Sequence, residues 1–181
     1  MNKISWLPML FALAACHATG ATGATRAPLE PRATTLQCAD RKIEIQAQCF
    51  QEEGMRTLSC TSQRLTISAA APLATRVFKP LPAEEGQDYP VVEEKIGDIV
   101  CTATPDRQQY IVTRVSNGGN CARCEWADVY GWNGALLGSS RDKAQSPAVR
   151  AAIAAAFDAK SARIGAADAT PLYAGRARRG H

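Results

Sequence analysis

Alternation of apolar and polar side chains is the feature that most restricts how this 181-residue chain folds. In the segment KIEIQAQCF, Ile43, Ile45, Ala47 and Cys49 alternate with Glu44, Gln46 and Gln48. A period of two places all the apolar residues on one face of a strand, which is then buried on that side. The chain is therefore expected to form sheets that cover a core on one face.

The same strand character recurs along most of the chain. It is found in the segments 55–68, 75–79, 97–104, 109–116, 125–132 and 135–139. Within 55–68 the apolar positions change from even to odd numbers, which predicts a bulge near residues 62–64. The turn sequences TPDRQ and Asn133-Gly134 predict hairpins. We expect an antiparallel sheet of about six to seven short strands, with the acidic, proline-broken segment 79–95 as a surface loop.

One helix is predicted towards the C-terminus. Ser146 is a suitable N-cap and Pro147 a suitable first helical residue. Val149, Ile153 and Phe157 then recur at helical spacing in an alanine-rich run that ends near residue 165. This apolar stripe is expected to pack on one face of the sheet. The predicted fold class is α+β, mainly β, with one C-terminal helix and stabilisation by disulfides.

The N-terminal segment MNKISWLPMLFALAAC has the layout of an export signal. Lys3 precedes an apolar stretch that is too short to span a bilayer core of roughly 30 Å. Its last four residues resemble the lipobox of bacterial lipoproteins: Leu13, Ala14, Ala15 and Cys16. That resemblance implies removal of residues 1–15 and acylation of Cys16, which anchors the chain in a membrane. Because His17 rather than aspartate follows, the resemblance favours the outer membrane, with the domain facing the periplasm. An ordinary cleaved signal with an unmodified Cys16 is the alternative.

Composition divides the rest of the chain. Residues 16–35 repeat Ala-Thr-Gly and contain proline, so they have little to bury and are predicted to form a flexible tether. A single globular domain is expected at 36–165. Residues 166–181 have little apolar content and several arginines, and are predicted to be a solvated basic tail, or one that contacts anionic envelope polymers. The net charge of +4 is scattered, so no nucleic-acid partner is expected.

The cysteines constrain the domain further. With Cys16 assigned to lipid, six of the seven remain: Cys38, Cys49, Cys60, Cys101, Cys121 and Cys124. In an oxidising envelope this even number predicts three disulfides. Cys121 and Cys124 are the preferred pair, since they are close in sequence and follow a Gly-Gly-Asn turn. For the others two arrangements remain open: 49–60 with 38–101, or 38–60 with 49–101.

The C-x-x-C at 121–124 also has catalytic and metal interpretations. Redox catalysis requires its first cysteine at a helix N-terminus in a βαβ unit, whereas the strand-like EWADVYGW follows here. A zinc site requires two further soft ligands, and the only histidines are His17 and His181. We therefore predict a structural disulfide. No cofactor is expected except the covalent lipid on Cys16.

Candidate site residues are few. Without a histidine between 17 and 181, catalysis through a histidine base is not predicted, and no nucleophile-elbow or phosphate-loop motif is present. Carboxylates remain as acid–base candidates, although no pair is singled out: Asp98, Asp106, Glu125 and Asp128. Along EWADVYGW, four residues share one strand face: Trp126, Asp128, Tyr130 and Trp132. They form either the core of the sheet or an open platform for a sugar or peptide.

The sequence thus predicts a non-catalytic binding or structural domain of an outer-membrane lipoprotein. Its expected partners are the membrane, through the anchor, and either peptidoglycan or a periplasmic protein. The first alternative is an inhibitor or immunity protein against a lysozyme-like or toxic enzyme. Lysozyme inhibitors resemble this chain in general plan, but none of their motif residues occurs here. The second alternative is a carboxylate-dependent glycan hydrolase.

Overall fold

A computed structural model describes residues 26–158 and 162–175. These residues form nine strands, one α-helix and one 3₁₀ helix. In chain order they are β1 (Glu30–Cys38), β2 (Arg41–Gln51), β3 (Leu58–Ser68), β4 (Pro72–Phe78), β5 (Lys95–Ala103), β6 (Gln109–Ser116), β7 (Glu125–Gly131), β8 (Leu136–Ser139), α1 (Pro147–Phe157), β9 (Arg163–Asp168) and the 3₁₀ helix (Thr170–Tyr173). All strand pairs are antiparallel. The predicted fold class, mainly antiparallel β with one α-helix, is confirmed.

The strands form two packed sheets, where the sequence predicted one. The first has the order β1-β2-β3-β4 and the second β8-β7-β6-β5-β9. Their inner faces share one apolar core, to which Ile45 and Leu65 contribute from one side and Ile99 and Ile111 from the other. The helix α1 covers the opposite face of the second sheet. The molecule therefore has three layers, and the outer face of the first sheet is open to solvent.

The helix begins as predicted but ends early. Ser146 Oγ accepts a hydrogen bond from the Val149 amide at 3.2 Å, and Pro147 is the first helical residue. The helix ends at Phe157 rather than near residue 165. Ala152 and Ala156 lie in its contact with the sheet, while Ile153 and Phe157 are only partly buried. Small side chains thus allow α1 to lie close to the second sheet.

A bulge in β3 changes the face on which its side chains lie. Cys60 pairs with Cys49 of β2, and Ser62 pairs with Gln48, so Thr61 is the extra residue. Buried positions in β3 are even-numbered before Thr61 and odd-numbered after it. This confirms the change of face expected from the sequence, one residue before the predicted range.

The first strand begins before the predicted domain boundary. Residues 30–35, assigned to the tether, belong to β1, which pairs with β2 along its whole length. The strand lies at the sheet edge, and its backbone pairing rather than side-chain burial holds it, so a composition poor in apolar residues was misleading. Pro31 is compatible with an edge strand. Residues 1–25, with the predicted signal, Cys16 and the first half of the tether, lie outside the described residues.

The predicted C-terminal tail is also wrong for residues 166–175. The strand β9 pairs with β5, and Leu172 and Tyr173 of the 3₁₀ helix are buried in the core. A Cβ at Gly165 would lie 3.0 Å from Cys38 Sγ, so the small residues of β9 allow it to lie directly against β1. Residues 176–181 lie outside the described residues.

Three disulfides connect these elements. They are Cys38–Cys101, Cys49–Cys60 and Cys121–Cys124. The four remaining cysteines thus adopt the first of the two arrangements left open by the sequence. One bond joins β1 to β5 and hence the two sheets, one links the paired strands β2 and β3, and one closes the turn between β6 and β7.

Candidate functional site

The aromatic face of β7 lies against the first sheet. Trp126, Asp128 and Tyr130 are only 6%, 3% and 3% exposed, and the two rings belong to the core between the sheets. Trp132 is partly buried at the end of β7, where its Nε1 donates to Asp40 Oδ1 at 3.0 Å. This hydrogen bond, assisted by Arg41, lowers the pKa of Asp40. The four residues are neighbours, as their spacing predicted, but three of them present no open platform.

A charged residue from the first sheet contacts this face. Arg76 of β4 places Nη1 2.5 Å from Asp128 Oδ2 and donates to the Tyr130 hydroxyl oxygen at 3.0 Å. Trp126 Nε1 donates to the same Asp128 oxygen at 3.3 Å. We call Arg76, Trp126, Asp128 and Tyr130 the clasp, because they join β4 to β7 across the two sheets.

Burial and pairing shift the protonation of the clasp in predictable directions. Burial opposes the charge of Arg76, but hydrogen bonds to Tyr130 and Asp128 outweigh it and raise the pKa of the guanidinium. Burial raises the pKa of Tyr130, and the Asp128 carboxylate adds to this effect. At ordinary pH the clasp therefore contains a charged Arg76 guanidinium and a neutral Tyr130 phenol.

The other carboxylate candidates lie in different places. Asp98 is on the helix side of the second sheet, 3.4 Å from Arg114 Nε, whereas Asp128 is on its inner face. Asp106 lies in the turn after β5 and accepts a hydrogen bond from Thr104 Oγ1. Glu125 is exposed at the start of β7. The structure thus separates Asp98 from Asp128 by a sheet.

Two further charged residues lie beside the clasp. The Arg141 guanidinium carbon is 3.3 Å from the centroid of the Trp126 ring. Glu94 is 3.5 Å from Arg76 Nη2 and 3.8 Å from Arg141 Nη1, so it connects the two arginines. Arg141 covers the edge of the core at which Trp126 would otherwise meet solvent.

An apolar slot of about 460 Å³ opens beside the clasp, between β4 and the β7–β8 hairpin. Its lining includes Leu65, Ile67, Ala74, Tyr130, Gly134 and Leu136. Gly134 lies at the hairpin turn with φ +84°, and a Cβ there would lie 2.8 Å from Ala74 Cβ. The slot is therefore bounded by a close contact at the turn, and its polar lining residues are Thr75, Arg76 and Tyr130.

Exposed apolar side chains are concentrated on and beside the two edge strands that border this slot, β4 and β8. Of the eight large apolar residues that are exposed in the described ranges, five lie on β4, shortly after it, or on β8. They are Leu73, Val77, Leu81, Leu136 and Leu137, which we call the β4–β8 corner. Such clusters mark interaction sites more often than scattered single residues do. The sequence identified both strands but not this surface, because it does not show which strands lie at sheet edges.

In residues 26–158 and 162–175, no group of three or more His, Cys, Asp or Glu side chains is arranged to hold a metal ion. No helix of these two ranges is long and apolar enough to cross a bilayer. The β4–β8 corner, with the slot behind it, is the candidate site. No protein-family model, curated protein or solved structure matches this chain.

Proposed function

We propose that this chain is an outer-membrane lipoprotein, acylated at Cys16 after removal of residues 1–15, whose domain binds a periplasmic protein without catalysing a reaction. The observation that carries the binding proposal is the β4–β8 corner. It has five exposed apolar side chains, and two of them, Val77 and Leu136, line a slot whose volume is in the range of ligand pockets. An aromatic or aliphatic side chain of a partner, buried in such a slot, can anchor a protein interface.

The chemistry of the slot favours a protein over peptidoglycan. Glycan sites combine many hydrogen-bonding groups with exposed aromatic faces, and here Trp126 and Tyr130 are covered by the first sheet. The slot is lined mainly by aliphatic side chains and offers few polar groups. A leucine or phenylalanine side chain matches that lining better than a sugar does.

The position of the corner suits a tethered domain. The chain enters at Glu30, which pairs with Cys49 at one end of the first sheet, whereas the slot lies where Ile67 pairs with Ala74. Leu36 is the β1 residue in the latter row, and six residues of strand span about 20 Å. Leu73 and the slot are thus at the opposite edge and towards the opposite end from the attachment point, while Val77 lies at the same edge in the row of Ala33. An anchor before β1 leaves the corner accessible from the periplasm.

Site-specific cross-linking in intact cells tests the binding proposal. A photoreactive amino acid replaces Leu136 in the corner or Met55 in the β2–β3 turn, which are matched at 55% and 54% exposure. We expect a discrete protein adduct from position 136 and none from position 55. In a second series, Val77→Asp should abolish the adduct at 136 while Met55→Asp retains it. Equal adducts from both positions would refute the corner as the binding surface.

The identity of the cross-linked protein distinguishes the remaining alternatives. A hydrolase whose activity falls when it is bound would identify the domain as an inhibitor or immunity protein. An endogenous envelope protein would support a structural or assembly role. Cleavage of purified peptidoglycan by the domain itself would overturn the non-catalytic proposal.

The anchor has an independent test. Cells grown with labelled palmitate should label the wild-type chain and leave Cys16→Ser unlabelled, because the acyl groups depend on the Cys16 sulfur. A processed wild-type chain that carries no label would show an ordinary cleaved signal instead. That outcome would remove the anchor but leave the β4–β8 corner to be judged by the cross-linking result.

A further inference from the structure

We infer that the Cys121–Cys124 disulfide is a thiol-exchange site, which a dithiol reductant opens at the Cys121 sulfur while the other two disulfides remain closed. This inference is independent of the partner proposed above. It concerns modification of the protein by a reductant, not catalysis by its own C-x-x-C.

Access distinguishes this disulfide from the others. Cys121 is exposed, whereas all the other disulfide-bonded cysteines are buried. Cys124 is covered by the preceding turn, since a Cβ at Gly119 would lie 2.5 Å from Cys124 Sγ. Exchange begins with attack by a thiolate on one sulfur, and its rate depends on access to that sulfur. A protein reductant can therefore approach only through Cys121.

The turn can open without unfolding the domain. Its cysteines are three residues apart in sequence, compared with 63 for Cys38–Cys101, and short loops contribute least to disulfide stabilisation. Backbone pairing of Ser116 with Glu125 closes the hairpin independently of the disulfide. The Asn117 amide also donates to the Cys124 carbonyl at 3.0 Å. These contacts keep β6 and β7 in register when the sulfurs separate.

The exchange has two steps. A thiolate of the reductant attacks Cys121 Sγ, a mixed disulfide forms, and the Cys121–Cys124 bond breaks with Cys124 leaving as a thiolate that takes a proton from water. The second thiol of the same reductant, once deprotonated, attacks its own sulfur in the mixed disulfide and displaces Cys121, which is protonated in turn. Two electrons pass to the protein. The reductant leaves as a disulfide, and both cysteines end as thiols.

The contacts of the turn extend the effect to the core edge. The Arg123 carbonyl, inside the disulfide ring, accepts hydrogen bonds from Arg141 Nε at 3.2 Å and Nη2 at 2.8 Å. The same guanidinium covers Trp126. Opening the ring makes the backbone around Arg123 more mobile, which weakens the two hydrogen bonds that its carbonyl accepts from Arg141. Trp126, only 6% exposed in the oxidised protein, then becomes more accessible to solvent.

Differential alkylation of the purified full chain tests the selectivity. The native protein is treated with dithiothreitol, quenched with one alkylating reagent at intervals, then unfolded, fully reduced and treated with a second reagent of different mass. We expect Cys121 and Cys124 to take the first reagent at least about tenfold faster than Cys38, Cys49, Cys60 and Cys101. Simultaneous labelling of all six, or earlier labelling of any of the other four, would overturn the inference.

Two variants, each with one cysteine of this pair replaced, test which sulfur is attacked. Cys124→Ser leaves an accessible thiol at 121, and Cys121→Ser leaves a covered thiol at 124. Oxidised glutathione should form a mixed disulfide with the first at least about tenfold faster than with the second. Equal rates would show that attack is not restricted to Cys121.

Tryptophan quenching tests the link to Arg141. Reduction of the wild-type protein should increase acrylamide quenching, and Trp126→Phe should lose this increase. Arg141→Gln should show the higher quenching before reduction. Unchanged quenching on selective reduction would refute the link between the turn and Trp126.

Discussion

Arg76 is an inward-facing residue of β4, between Ala74 and Phe78, at a position where a sheet that covers a core usually carries an apolar side chain. Its partner Asp128 has only 4% of its side chain exposed. Charges at such positions lose hydration, so a buried ion pair adds less net stability than its short distance suggests. Removing one partner is costly, because the other charge is left buried without compensation. The clasp therefore fixes how β4 lies on β7.

Arg76→Met should lower the free energy of unfolding by roughly 3 kcal/mol, the lower end of the usual range, because Arg76 is partly exposed. Arg76→Met combined with Asp128→Leu should recover most of that loss, since neither charge then remains. Urea unfolding of the two single variants, the double variant and wild type measures the coupling. Arg64→Met, on the solvent face of β3, is the control and should change stability by less than about 0.5 kcal/mol. Strict additivity of the two single changes would contradict this account.

The sequence identified three of the four clasp residues. A period of two in EWADVYGW is enough to place Trp126, Asp128 and Tyr130 side by side. It contains no information about Arg76, which lies 52 positions before Asp128, because that contact depends on which face of which sheet covers β7. The sequence also did not predict that Leu136 and Leu137 are exposed, since the local pattern of β8 does not show that it lies at a sheet edge.

At the scale of elements, the β7–β8 hairpin controls the slot. Its turn places Gly134 against Ala74 of β4. Asn-Gly is a frequent turn pair because glycine adopts positive φ without steric cost. Residue 134 must therefore meet two conditions: it adopts a left-handed backbone conformation, and it has no side chain.

Gly134→Ala and Gly54→Ala separate these two demands. Both glycines have positive φ, +84° and +82°, but a Cβ at Gly54 meets nothing within 4 Å. Each substitution should cost about 1 kcal/mol for the backbone, and Gly134→Ala about 1 kcal/mol more for overpacking against β4. Thermal or urea unfolding measures the difference. Equal losses would show that the turn moves away from β4 without cost.

Sequence patterns identified strands rich in apolar side chains better than strands poor in them. The predicted range 109–116 matches β6, which is buried on both faces and rich in β-branched residues. The strands β1 and β9 were missed, because EPRATTLQC and RIGAAD carry few apolar side chains. Both are held by pairing with a neighbour and by the close contact between Gly165 and Cys38. Such contacts are long-range, and local periodicity does not report them.

At the scale of the whole molecule, the Cys38–Cys101 disulfide joins the two sheets. It closes a loop with a sequence separation of 63, against 11 for Cys49–Cys60. In the chain-entropy model, Cys38→Ala/Cys101→Ala should lower the free energy of unfolding by roughly 4 kcal/mol, and Cys121→Ala/Cys124→Ala by roughly 2 kcal/mol. Urea unfolding under non-reducing conditions gives both values. A larger loss for Cys121→Ala/Cys124→Ala would mean that the Cys38–Cys101 bond does not stabilise the protein by restricting the conformations of the unfolded chain.

Two buried tyrosines predict sensitivity to alkali. Burial raises the pKa of both Tyr173 and Tyr130 above the ordinary value of 10.0. The folded protein therefore retains protons that the unfolded chain releases, so this stability is fully present below about pH 10 and is lost as the pH rises further. Unfolding free energies measured between about pH 9 and pH 11 should fall, and Tyr173→Phe should reduce the slope.

Lys95 changes the free energy of unfolding in the same pH range, but in the opposite direction. Burial lowers its pKa below 10.5, so the unfolded chain binds more protons and stability rises as the pH approaches that value. Its Nζ lies 5.5 Å from the Tyr173 ring centroid. Because Lys95→Met removes a contribution that rises with pH, the unfolding free energy of this variant should fall more steeply in alkali than that of wild type. A flat profile in this variant would contradict the assignment of the loss to the tyrosines.

The pairing of β1 with β2 has a mechanical consequence for a chain anchored near its N-terminus. If the chain is anchored before Glu30 and bound by a partner at the opposite edge of the sheet, as proposed, tension between the two attachments would act largely along β1. Nine residue pairs then resist the force together, in shear, rather than separating one after another. If the strand does slide, the bond from Cys38 to Cys101 stops it at its last residue. With the proposed anchor and partner, the edge strand with the least apolar sequence would thus be the one that bears this tension.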